Sequence, residues 1–466
     1  MITKIAKQEI KNLIRDKRIF LLSILVFISL TVSTVIGWKY SSDKDLEQRE
    51  AQSNQYSLWL NKGEMNPHSA AHHGLYVYKP YSILSMIDIG VEKFTGTSIF
   101  LEAHKRNQFG YNSSNDSNNL QRFGELTPST VLQILFPLLI ILIGFNSINS
   151  EKESGTLKQV LSLGVDKKKI IFGKFLGIKL VILGLISPFI LLGLTLIFFS
   201  SHNNSDTIIR FIFMTLGYLI YLIIFSTLSF IVSLNSNSKK SLIILVCFWF
   251  ISCFVMPKLI MNTISYKHKT QTSYEFSNNI EQKKSKIMDW YTREAFIKND
   301  LKKTYNLKSD KDIPYNIEGL VLISEEKDET KIYNDSFNFL FDTYKQQNSL
   351  YNKLSVLSPT IAMQNISMSL SKTDFESFRD FNNSVEKYRE EMVNNMNSAI
   401  KNYKKGDTFD YVEGKNLWEK VPPFKYQSPD YLFSVKHIVN SITVLIIWLF
   451  LLSFMLIISI NRFRIV

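Results

Sequence analysis

The sequence predicts an all-α membrane protein with six transmembrane helices, an N-terminal interfacial helix and a mostly helical extracytoplasmic domain. Three observations predict it. Six apolar stretches are each long enough to cross a hydrocarbon core of about 30 Å: residues 19–37, 129–148, 175–200, 208–233, 241–260 and 438–460. Basic residues crowd alternate connections between these stretches. Two long polar segments, residues 38–128 and 261–437, fall on the other side.

The flanking charges set the orientation, because Lys and Arg are retained on the cytoplasmic side. Residues 1–18 hold Lys4, Lys7, Lys11, Arg15, Lys17 and Arg18. The 149–174 connection holds Lys152, Lys158, Lys167, Lys168, Lys169 and Lys174. Lys239 and Lys240 mark the turn between the fourth and fifth stretches, and Arg462 and Arg464 the 461–466 tail. The turn around Ser201–Thr207 holds no Lys or Arg. Arg210 and Lys258 sit at outer ends against this trend, which still places both termini in the cytoplasm of a bacterial cell. The first stretch exceeds a signal-peptide apolar region and lacks an Ala-x-Ala-like site after it, so it reads as an uncleaved anchor.

The formal charge of +13 could suggest nucleic acid as a partner. Its clustering beside apolar blocks argues for topology instead. The two cysteines, Cys247 and Cys253, lie about 240° apart around one helix, so neither a disulfide nor a thiolate metal site follows. They read as small buried apolar side chains.

The polar segments read mainly helical. Phe375–Met396 and Leu340–Leu354 repeat apolar residues at three- and four-residue spacing, whereas Tyr111–Asn119 reads as loop. On the cytoplasmic side, Ile2, Ile5, Ala6, Ile10, Leu13 and Ile14 recur at helical spacing against a Lys-rich face, the pattern of a helix lying on lipid. The 149–174 connection is too short for a folded domain and too polar to re-enter the membrane. It serves equally as a charged loop or as a short helix that carries force from a soluble partner into two spans.

Glu151-Lys152-Glu153-Ser154-Gly155-Thr156-Leu157, followed by Leu161 and Gly173-Lys174, resembles the loop after the second span of ABC-2-type permeases. The resemblance implies that Glu151, Glu153, Gly155, Thr156 and Leu157 belong to the region that meets a separate ATPase subunit. The outer segments resemble a subfamily with a large extracytoplasmic domain, grouped with permeases named for multi-copper-enzyme maturation. The residues concerned are His73, Gly74 and Pro80, then Asp88 and Gly90, then Glu102, His104 and Asn107. Leu357-Ser358-Pro359, Gln364–Met368 and Thr373-Asp374-Phe375 fit the same subfamily, while His73 stands where it places an aromatic residue. The resemblance spans nearly the whole chain. It implies an ABC ATPase, a second permease copy or paralogue and membrane lipids as partners, with ATP and Mg²⁺ held by the ATPase and no cofactor on this chain.

Catalytic signatures are missing. No Gly-x-x-x-x-Gly-Lys-Ser/Thr phosphate loop, His-Glu-x-x-His or Gly-x-Ser-x-Gly occurs. His68, His72 and His73, with His104 further on, have a spacing that could suit a metal. No acidic or Cys ligand adjoins them, and Pro67 and Gly74 argue against a regular helix, so a polar corner is expected. Asp88, Glu102 and Asp374 read as partners for Arg106 or Lys105 in folding ion pairs or hydrogen bonds. Lys179, Arg210 and Lys258 lie near span ends and read as snorkelling side chains. Without an intramembrane carboxylate, ion-coupled transport is a poor fit and an external energy source a better one. Gln133 and Asn146 are suited to bonds between helices, and Pro137 and Pro188 to kinks. The expected function is that of a permease subunit of an ATP-driven exporter. The alternative is a non-transporting sensor or scaffold whose outer domain binds a ligand.

Overall fold

In the computed structural model, residues 1–107, 126–201, 203–404 and 408–463 are described; the Tyr111–Asn119 loop and Arg464 lie outside them. Helix α1 (Ile2–Arg15) ends where Asp16 leaves helical geometry (φ −73°, ψ 100°). The Asp16 carboxylate then accepts from Arg18 N at 3.0 Å and so starts α2 (Lys17–Leu60). Five further apolar helices follow: α4 (Pro128–Glu153), α6 (Lys167–Phe198), α7 (Ser205–Asn235), α8 (Ser238–Lys267) and α14 (Tyr431–Arg462). With α2 these make six spans, as the sequence predicts. The spans extend beyond their apolar stretches. Helix α2 has 44 residues and continues without interruption into the segment read as starting at residue 38.

Helices α4 and α7 lie deepest in the bundle, with Ile140, Tyr218, Tyr221, Leu222 and Phe225 fully buried. The sixth and third spans close around them through Leu445, Leu452, Ile178 and Ile182. Two spans contain a π-helical turn, Val131–Leu135 in α4 and Ile251–Val255 in α8. Each lies just ahead of a proline, Pro137 or Pro257. Proline lacks an N–H and crowds the carbonyl four residues back, here those of Gln133 and Cys253, and a wider turn relieves that crowding. The freed Gln133 carbonyl accepts from Tyr221 Oη at 2.7 Å, and neighbouring Ile134 O accepts from Trp249 Nε1 at 3.0 Å. Every polar backbone group in lipid needs such a partner. Of the two cysteines, Cys253 is buried as expected, but Cys247 is exposed on α8.

Most of the described residues of the two polar segments form a head domain at one end of the bundle. It contains α3 (Pro67–His73), β1 (Leu75–Tyr78), β2 (Ser98–Glu102) and β3 (Lys105–Arg106). Helices α9 (Ser273–Lys284), α10 (Trp290–Tyr305), α11 (Ile317–Leu354) and α13 (Phe375–Asn402) complete it. The strands form an antiparallel sheet in the order β1-β2-β3, with Leu75 opposite Leu101 and Glu102 opposite Lys105. Among the described residues, this small sheet and a lone bridge between Met65 and Glu413 are the extended structure in an otherwise helical chain, in keeping with the all-α expectation. Trp59 at the far end of α2 joins the head core, donating from Nε1 to Trp418 O at 2.9 Å, and packs beside Val77, Leu101, Phe381 and Met392.

Pro67 and Gly74 do not prevent a helix; they bound one. Asn66 caps the N–H groups of His68 (2.9 Å) and Ser69 (3.4 Å), Pro67 takes the first position, and Gly74 at φ +48° ends α3. Helix α12 (Pro359–Leu370) departs further from the sequence reading. Although it lies within 261–437, its Ala362, Met363, Ile366 and Leu370 join the core of the spanning bundle, packing on α7 and α14.

Arg210 corrects a second expectation. It does not snorkel, being only 1% exposed. Its guanidinium reaches Asp206 (2.8 Å), Ser434 Oγ (2.7 Å) and Pro429 O (3.0 Å), joining the head-side ends of α7 and α14. A charge this deep is tolerated because its donors are matched by acceptors. Lys179 lies along the Phe175 ring at 4.2 Å, and Lys258 is exposed.

Candidate coupling site

At the bundle end away from the head, the connection between α4 and α6 folds into two short helical pieces. The last turn of α4, Asn149–Glu153, meets α5 (Thr156–Ser162) through Gly155. Gly155 has φ +76°, a conformation costly for residues with a Cβ, and lets the chain reverse within two residues. Leu157 turns inward and is buried, anchoring α5 to the bundle core. Thr156 Oγ1 bonds Ser154 Oγ (2.9 Å) and Glu151 O (3.3 Å), which tightens the reversal. Glu153, although exposed, is occupied. Its Oε1 accepts from Ser238 N (3.2 Å) and Oγ (2.8 Å) at the first turn of α8, where a negative charge is favourable.

Glu151 forms an ion pair with Lys174 of α6 at 2.8 Å. The same Lys174 Nζ lies 2.6 Å from Glu9 of α1, and both side chains are buried. Ser147 Oγ donates to the other Glu9 oxygen at 3.0 Å. Helix α1 approaches α6 closely because the facing residues there are glycines. A Cβ on Gly173 would meet Ile5 Cβ at 2.6 Å, and one on Gly177 would meet Glu9 Cβ at 2.8 Å. The middle of α1, the reversing loop and the second and third spans thus converge on one ammonium group. The last turn of the sixth span lies close by, where Lys167 Nζ donates to Phe463 O at 3.2 Å.

Sequence reasoning missed Glu9. A signal was present, since Glu9 shares the buried stripe of Ala6 and Leu13 at three- and four-residue spacing. A carboxylate on an apolar stripe signals a buried partner.

The model of the ABC-2 family transporter protein matches residues 3–464 of this chain. The chain belongs to the ABC-2 transporter family. No individual curated protein matches it. It is therefore a permease, a membrane component of a transporter.

The motif residues of the permease head divide by role. Gly74 (φ +48°) and Gly90 (φ +53°) are positions where a Cβ would strike backbone, at Leu101 O and Thr373 O. Asp88 and Gly90 grip the second outer block: Thr373 Oγ1 donates to Asp88 O (3.0 Å), and Val91 N to Thr373 O (2.9 Å). The Asp88 carboxylate accepts from Gly90 N at 3.0 Å, and burial pushes its pKa above the usual carboxylate range. Asn107 Nδ2 braces the β2–β3 hairpin through Phe100 O (3.1 Å) and Glu102 (2.7 Å). Glu102 pairs with Lys105 at 3.6 Å, as expected. Asp374 instead caps α13, and Arg106 approaches Glu386 at 3.8 Å. Pro80 is exposed, and His73 bonds within its own helix, its Nδ1 lying 2.8 Å from Ser69 O. His104 adopts φ +62° at the hairpin turn, with Nδ1 2.5 Å from Glu329 Oε2. Burial opposes charge on its imidazole, but the Glu329 and Glu326 carboxylates outweigh it and raise the pKa.

Proposed function

We propose that this permease is the membrane-spanning subunit of an ATP-driven exporter in the bacterial cytoplasmic membrane, with both termini in the cytoplasm. A separate ATPase subunit, carrying ATP and Mg²⁺, docks on α5 and the reversing loop. A second copy or a paralogue faces it across the transport path.

The observation that supports this reading is the exposed edge of α5. Val160 and Leu163 are 38% and 81% exposed on a polar loop outside the spans. Apolar side chains held outward on a braced element suit a protein partner better than water. Movement of that partner would pass through Lys174 into α1 and α6 together, and through Glu153 into α8. Glu151, Glu153 and Gly155 then shape and brace the docking element, while α5 supplies the contact.

Co-purification of the permease with its ATPase in mild detergent tests the reading. The expected result is an ATPase recovered with the parent chain and lost with Val160→Asp/Leu163→Asp, while the amount of permease in the membrane stays the same. Glu153→Arg lowers recovery by loosening the loop. Undiminished recovery with the double variant overturns the docking assignment. A stable complex without any ATPase would favour the sensor or scaffold reading.

A further inference from the structure

We propose that the permease head binds a divalent transition-metal ion of the zinc class between the Nε2 atoms of His68, His72 and His104. His68 and His72 are four residues apart on α3 and share one face of that helix. His104 arrives from the β2–β3 turn. The His68 and His72 Nε2 atoms are 3.1 Å apart, those of His68 and His104 are 3.4 Å apart, and the three ligand atoms lie within 4.8 Å of one another. Zinc–nitrogen bonds of about 2.0–2.1 Å at tetrahedral angles set ligand nitrogens roughly 3.3 Å apart. The first two separations match that edge.

The surrounding groups orient the rings toward this point. His68 Nδ1 lies 3.1 Å from Asn397 Oδ1, and His104 Nδ1 lies 2.5 Å from Glu329 Oε2. With Nδ1–H donating in both rings, the lone pairs sit on Nε2 and face each other. A ring held by a carboxylate or amide at one nitrogen and aimed at a common point by the other is the usual outer arrangement of a histidine metal ligand.

The nearby carboxylates are engaged elsewhere. Glu329 also pairs with Lys284 (2.9 Å), while Glu326 accepts from His104 N (2.8 Å) and Arg389 (2.5 Å). They orient the rings and leave three imidazoles as the ligands. Neutral nitrogen donors select a borderline ion such as Zn²⁺ over Ca²⁺ or Mg²⁺, which require oxygen. His72 is exposed, so the ion has an entry path and a fourth position open to water or an exchangeable ligand.

The test uses the full chain in detergent, purified without a polyhistidine tag, stripped with chelator and titrated with Zn²⁺ at pH 8. Co²⁺ serves as the spectroscopic probe of four-coordination. The expected result is one Zn²⁺ per chain for the parent and for His73→Ala. His72→Ala, at an exposed position that does not support the core, should weaken binding by more than the roughly 10–100-fold typical of losing an outer partner. Glu329→Gln should fall within that range. Failure of the parent chain to bind Zn²⁺, equal binding by His72→Ala, or preference for Ca²⁺ overturns the proposal. A melting curve of His72→Ala that matches the parent's ensures that lost binding reports the site and not the fold.

Discussion

Lys174 of the third span lies 2.6 Å from Glu9 of the N-terminal helix, with both side chains buried. Removing one partner of a buried pair leaves the other charge without compensation, at about 3–5 kcal/mol. Lys174→Ala should therefore release α1 and speed trypsin cleavage at Lys4, Lys7, Lys11 and Arg15 in the detergent-solubilised permease. Glu9→Leu/Lys174→Met, which removes both charges, should restore most of the protection. Identical cleavage of Lys174→Ala and the parent would show that the pair does not hold the helix.

Arg210 is a second buried charge with a different task. It ties Asp206 to Ser434 Oγ and Pro429 O, and Asp206 also accepts from Tyr431 N at 2.6 Å. Arg210→Ala should lower stability in detergent by about 3–5 kcal/mol. Arg210→Lys should recover less than half, because an ammonium cannot reproduce the guanidinium fork. A melting temperature for Arg210→Ala equal to the parent's would contradict this.

Tyr221 accounts for the carbonyl that Pro137 leaves free. Tyr221→Phe should cost about 0.6 kcal/mol, the average for bonds between helices in membranes, and no more than about 1.7 kcal/mol. With Pro137→Ala, an N–H again faces Gln133 O, so the tyrosine matters less. A double-mutant cycle should yield a coupling of at least about 0.5 kcal/mol. Strict additivity would indicate that the two are unrelated.

The six spans and the amphipathic first helix were legible because lipid imposes a long, simple pattern on sequence. The remainder depends on partners distant in the chain. Glu9 and Lys174 are separated by 165 positions, and His104 and Glu329 by 225. Helix α12 has only twelve residues, too few to span, and its Ser and Thr content reads as polar until Tyr218 and Tyr221 meet Ser367 (2.8 Å) and Thr360 (3.1 Å). Strands of four, five and two residues leave no periodicity to detect.

Asp88 gives a dependence on pH with a definite sign. Its carboxyl has a raised pKa in the folded chain and an ordinary one when unfolded, so the unfolded state releases the proton first as pH rises. Stability is then fully present below the ordinary carboxylate value and declines as pH climbs through the folded value. Asp88→Asn should stabilise the permease near pH 7, with a gain that shrinks toward about pH 4. A gain independent of pH would mean that the buried carboxyl is not what titrates.

Helix α2 gives the permease a mast. Its 44 residues span about 66 Å at 1.5 Å per residue, roughly twice the hydrocarbon thickness. Its foot adjoins α1 at Asp16, and its tip is fastened to the head core by Trp59. A rigid rod of that length converts a lean of about 5° at the foot into a displacement of about 6 Å at the tip. Small changes beneath the membrane would therefore be amplified above it, with no hinge in between to absorb them.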